Sequence, residues 1–305
     1  TAIFLSALIL LTAPCEAAKR APHEAEGKRY VVAADHPAAS EAGLEMLKDG
    51  GNVVDAAVAA AFALAVARPY SAGLGGGGFM LIHQVGRAPL ALDYRETAPT
   101  AAVPENYLDA DGKVVPEKST RGHWAAAVPG QVAGLTKALR ERGTMSLAEV
   151  MAPAIRLAEE GVVVDEHARK NMEVLAAFFR RMREEGRSHA YREAASIFLK
   201  PNGNPYLVGE KLKQPDLAKT LRMIAVDGAP AFYEKTIARR ILSSMREYSG
   251  PFQRGDLEEY RPKERQPLRA IFRSYEVLGM PPPSSGGVCV ASTLQVMEGV
   301  SPQAP

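Results

Sequence analysis

The stretch 53–67 reads VVDAAVAAAFALAVA, alanine-rich and apolar on nearly every face once wound as a helix. Asn52 is a good N-cap in front of it, and Pro69 breaks it at the far end. A surface helix shows one apolar stripe, whereas one apolar all round is buried on most sides. The chain must therefore wrap further elements around this segment. Its composition allows that: 47% of the 305 residues are hydrophobic and 24% charged, which excludes wholesale disorder and low-complexity structure. The length fits one large domain or two of average size, with a core that needs no metal or disulfide to hold it.

The neighbouring elements are legible in part. Residues 40–48 read as a short helix stopped by Asp49-Gly50-Gly51. Residues 79–85 read as a strand, with 88–94 as its hairpin partner across Gly86-Arg87. Gly130 opens a helix to about Arg142, Ser146 caps another over 147–160, and 166–185 forms a long amphipathic helix with a strongly charged face. Residues 256–262 read as a charged connector, 268–278 as one alternating strand, and 288–298 as an apolar helix. Helices and strands are mixed, so the class is α/β or α+β. There is no internal repeat, and no linker divides the chain.

Residues 2–13 (AIFLSALILLTA) form an apolar run too short to span a bilayer. They fit the core of a secretory signal, with Cys15-Glu16-Ala17 as its cleavage region, the alternative being a buried N-terminal helix or strand. The expected organisation is a signal peptide over 1–17, a flexible mature N-terminus over 18–30, and one domain over 31–305. Removal of the leader would leave Cys289 as the only thiol, which excludes a disulfide scaffold and Cys-x-x-Cys zinc sites. The histidines are scattered, so no metal site is expected, and Asp109-Ala110-Asp111-Gly112 lacks the spacing of a calcium loop. With 37 Lys+Arg against 35 Asp+Glu, the charge balance gives no reason to expect nucleic acid.

Three motifs have competing readings. Gly73, Gly75 and Gly78 match a dinucleotide fingerprint formally, but that fingerprint needs strand, glycine turn, then helix; here a helix precedes and a strand follows. Close backbone packing is the preferred reading. Arg95, at the end of a predicted strand, is either a surface arginine paired with Asp93 or Glu96, or a fork for a carboxylate. Ser284 and Ser285 read as a helix cap, since three prolines make a poor nucleophile elbow.

Six segments in order resemble the γ-glutamyltranspeptidases, or glutathione hydrolases: 33–40 (AADHPAAS), 50–56 (GGNVVDA), 71–79 (SAGLGGGGF), 93–99 (DYRETAP), 128–135 (VPGQVAGL) and 281–287 (PPPSSGG). The resemblance runs from about Val31 to the end. It implies an N-terminal-nucleophile hydrolase of four-layer αββα architecture, incomplete in this chain. It also implies a precursor that cuts itself before a threonine, whose freed amine and hydroxyl act as base and nucleophile. The chain matches part of the large subunit, so no catalytic residue of the family falls within it, and the 305-residue chain alone is expected to be inactive. What carries over is Arg95 as the ligand of the γ-glutamyl α-carboxylate, with Glu96 orienting it. The expected substrates are glutathione and γ-glutamyl compounds, with amino-acid or dipeptide acceptors. The expected partner is a small subunit from the same precursor, with no cofactor, acting in the periplasm or outside the cell. The alternatives are a related acylase, a poly-γ-glutamate depolymerase, or a non-catalytic γ-glutamyl-binding remnant.

Overall fold

The computed structural model describes residues 24–299. The described residues fall into two units, 24–31 and 32–299. The leader expected over 1–17 lies outside the described residues, as do 18–23 of the expected tail; residues 24–31 form no helix or strand.

The second unit begins with α1 (Pro37–Lys48), three residues earlier than its sequence pattern suggests, because the His36 ring caps it: Nδ1 accepts the Ala38 N–H at 3.1 Å. Next comes α2 (Val53–Ala67). Asn52 Oδ1 accepts from the amides of Val54 and Asp55, and the Asp55 carboxylate accepts back from Asn52 N at 2.7 Å. As its composition requires, α2 is enclosed, by α1, by α4 (Gln131–Arg142) and by α5 (Leu147–Glu160). Val58, Phe62 and Val66 are wholly buried there. A single turn, α3 (Pro69–Ala72), separates α2 from an antiparallel hairpin of β1 (Gly78–Ile82) and β2 (Leu90–Tyr94).

After α5 follow β3 (Val162–Val163), α6 (Glu166–Glu184), α7 (Arg192–Phe198) and β4 (Lys211–Leu212), which pairs with β3. Three helices then lead on, α8 (Pro215–Asp227), α9 (Ala229–Tyr233) and α10 (Thr236–Glu247). The short helix α11 (Arg254–Glu258) runs into the segment expected to be a connector, 256–262. The strand β5 (Lys263–Arg265) follows it and completes a sheet of order β1-β2-β5. Every residue of β2, the central strand, is buried.

The single strand expected over 268–278 is instead two, β6 (Leu268–Phe272) and β7 (Tyr275–Gly279), paired so that Phe272 faces Tyr275. The turn lacks a glycine or asparagine signal; Arg273 takes the left-handed conformation itself, at φ +54°. The last element, α12 (Gly286–Glu298), lies on β6 and β7. The fold is mixed α/β, as expected.

Candidate substrate-binding site

Arg95 follows directly on β2, where the buried strand reaches the surface. Its backbone is held from several sides. The Asp93 carboxylate accepts the Arg95 N–H at 3.0 Å and binds Arg265 Nε, across the β2–β5 pair, at 2.7 Å. The Tyr260 hydroxyl donates to the Arg95 carbonyl at 2.9 Å. Two residues on, Thr97 pairs with Val128 through both backbone hydrogen bonds. Tyr260 in turn stacks on Tyr233 at 5.7 Å, and the Tyr233 hydroxyl donates to the Pro129 carbonyl at 2.8 Å. Burial raises the pKa of both phenols, so each remains a protonated donor at neutral pH.

The glycines allow this packing. Gly76 O accepts two amides at the start of α4, from Gly130 at 2.9 Å and Gln131 at 3.0 Å. A Cβ on Gly130 would stand 2.0 Å from Tyr94 O, one on Gly134 2.1 Å from the Tyr94 ring, and one on Gly77 2.4 Å from Tyr94 O. The close-packing reading of this loop therefore holds for its contacts with β2. The order α3, glycines, β1 leaves no helix N-terminus after them for a pyrophosphate.

Against this rigid backing the Arg95 side chain is free. It is 61% exposed, and its one ion pair among the described residues is with Glu96, a loose contact of 3.5 Å. Asp93, the other partner the surface reading offered, is occupied by Arg265. No guanidinium hydrogen bond of Arg95 to protein is found among the described residues, so its fork is open to an incoming carboxylate. Glu96 lies beneath, with a buried Oε2 that has no hydrogen-bond partner. Both residues face a cavity of about 130 Å³, shared with Tyr260, Arg261, Lys263 and Arg265. Pro283 reaches the same cavity, which brings the 281–287 segment to Arg95. Ser284 Oγ accepts the Gly286 N–H at 3.3 Å, while Ser285, at the N-cap position, makes no side-chain cap bond.

Sequence reasoning missed Arg261, Lys263 and Arg265. Their only signal was a run of charges in 261–265, which resembles a solvated connector until β5 is seen to pair with β2. Sheet pairing, rather than local pattern, gathers these cations beside Arg95.

Arg95 is thus an exposed guanidinium on a rigid strand end of a mixed α/β fold. A sequence model described as gamma-glutamyltranspeptidase matches residues 39–304. The glutathione hydrolase proenzyme of Pseudomonas sp. strain A14 is 38% identical over 301 residues, covering 97% of this chain and 50% of that protein. The acylase ACY 1 proenzyme of Pseudomonas sp. strain V22 is 38% identical over 281 residues, covering 90% of this chain and 49% of that one. Among solved structures, the Helicobacter pylori γ-glutamyltranspeptidase superposes with a TM-score of 0.82 at 38% identity, over 92% of this chain and 78% of that chain. The chain belongs to the γ-glutamyltranspeptidase family and has its N-terminal-nucleophile hydrolase fold. It spans about half the length of the curated relatives it matches.

Proposed function

We propose that the protein of which this chain forms a part is a γ-glutamyltransferase and glutathione hydrolase. In this reading Arg95 holds the α-carboxylate of the γ-glutamyl group, and Glu96 steadies the guanidinium from below. A threonine outside this chain attacks the γ-carbonyl and expels the amine of the peptide. The resulting γ-glutamyl ester passes to water, or to the amine of an amino acid or dipeptide, and restores the hydroxyl. The threonine would be freed by self-cleavage of the precursor, consistent with relatives named as proenzymes. The apolar run 2–13 supports export, and hence action on γ-glutamyl compounds outside the cytosol.

The observation that carries this reading is the exposed Arg95 guanidinium, which makes no hydrogen bond to protein among the described residues and stands at the end of a fully buried strand. It is tested on the full-length precursor with Arg95→Ala and Arg95→Lys. Loss of a bidentate carboxylate contact should lower kcat/KM for glutathione about 100-fold or more, mainly through KM. Lysine should rescue little, because a point charge cannot reproduce the fork. Activity within about threefold of wild type in both variants would refute the assignment.

The likeness to a proenzyme named as an acylase favours one second reading, an amide acylase acting on another carboxylate-bearing acyl group. Glutathione and a glutaryl amide, which keeps the terminal carboxylate but lacks the α-amino group, separate the two. The first reading expects turnover of glutathione alone.

A further inference from the structure

A cavity of about 270 Å³ shares no lining residue with the Arg95 site. It is walled by the 115–124 segment, by the chain after α6 and by Tyr248. Lys118, Arg121 and Arg187 face it against a single carboxylate, Glu117. That carboxylate is already engaged, at 3.4 Å by Arg121 and at 2.9 Å by Arg181. Lys118 is different from its neighbours: it is half-buried, has no ion pair among the described residues, and holds its ammonium 4.8 Å from the centre of the Trp124 ring.

The aromatic wall is fixed in advance. Trp124 Nε1 donates to Ser249 O at 2.8 Å, and Tyr107 meets the indole edge-on. His123 stacks on Tyr248 at 4.6 Å, and Tyr191 closes the far side. Two residues that build this cleft, Glu117 and Ser249, take positive φ values of 63° and 53°, a conformation that costs a non-glycine residue on the order of 1 kcal/mol. Their neighbours hold them there, and the result is a preformed concave site with convergent cations and flat apolar walls.

We propose that this cleft binds a small carboxylate carrying an aromatic group, its carboxylate on Lys118 and its ring against Trp124 and Tyr191. A single ammonium with no ion pair among the described residues suits one negative charge. The guanidiniums, each tied to a glutamate at Glu117 or Glu185, leave less for a multiply charged ligand. The cavity volume matches a compound of about a dozen heavy atoms rather than a macromolecule.

The test is calorimetric titration of the full-length protein with phenylacetate, using benzylamine and acetate as controls. Phenylacetate should bind at one site; benzylamine has the ring but the wrong charge, and acetate lacks the ring, so neither should saturate. Lys118→Ala should weaken phenylacetate about tenfold, or 1.4 kcal/mol, at an unchanged melting temperature. Arg95→Ala should leave its affinity intact. Three results overturn the proposal: no phenylacetate binding, binding indifferent to Lys118→Ala, or binding lost in Arg95→Ala, which would place the ligand at the other site. Trp124→Leu supplies a second check. If it folds and still binds phenylacetate as wild type does, the aromatic wall plays no part and the proposal fails.

Discussion

Asp55 is wholly buried and serves two elements at once. Besides the cap of α2, its oxygens accept the Thr144 hydroxyl at 2.6 Å and the amides of Thr144 at 2.9 Å and Met145 at 3.1 Å, in the link between α4 and α5. Burial alone would raise its pKa, but these hydrogen bonds outweigh that effect and hold the carboxyl below its ordinary value. Asp55→Ala strands several buried donors, so we expect a loss of roughly 2–4 kcal/mol at pH 7, read from denaturant unfolding of the precursor. The sign with pH follows from a depressed folded pKa. The contribution is full above the unfolded value near 3.8 and disappears as pH falls through the folded value. The gap between wild type and Asp55→Asn should narrow as the medium is acidified through that range. An equally stable Asp55→Ala protein at neutral pH would contradict this account.

At the scale of elements, α4 and β2 meet through missing side chains. Glycine inside an exposed helix costs about 1 kcal/mol relative to alanine, so Gly134→Ala would ordinarily stabilise α4. Here the added methyl would stand 2.1 Å from the Tyr94 ring, on the residue before Arg95. We expect the sign to invert: Gly134→Ala should destabilise by about 1–3 kcal/mol and reduce γ-glutamyl turnover as the strand end shifts. Gly75→Ala, where nothing lies within 4 Å of the new atom, serves as the control and should be near neutral. A more stable, fully active Gly134→Ala protein would sink the argument.

The same scale shows what the sequence discloses. Caps and hairpins are local chemistry, so Asn52, Ser146 and the pairing of 79–85 with 88–94 could be read directly. The reversal at Arg273 could not, because a left-handed arginine leaves no mark in an alternating run of residues. Nor could the recruitment of 261–265 to the Arg95 cavity, which depends on pairing between strands some 170 residues apart. Arg95 stands out by resemblance alone, since an exposed arginine beside two acids is ambiguous until one acid proves to be taken by Arg265.

At the scale of the whole molecule, the C-terminal helix and the hairpin beneath it expose several large apolar side chains. In α12 the only buried residue is Ala291, while Val290, Val296 and Met297 are 52%, 74% and 50% exposed. On the hairpin beneath, Ile271 is 59% exposed. Among the described residues, the outer edges of β1 and β5 have no partner strand. Contiguous apolar surface and open edges usually mark an interface or an aggregation site. Taken with the proposed two-subunit precursor, they suggest that the remainder of the relatives' length covers this region. The isolated 305-residue chain should then aggregate or unfold without a sharp transition, whereas the full precursor should melt cooperatively. Val290→Lys with Val296→Lys offers an internal check, because the surface argument assigns these positions opposite effects in the two settings. The pair should make the isolated chain more soluble and should impair maturation of the precursor. A monomeric, cooperatively melting isolated chain would show that α12 needs no cover, and the apolar face would then have to be explained by something other than assembly.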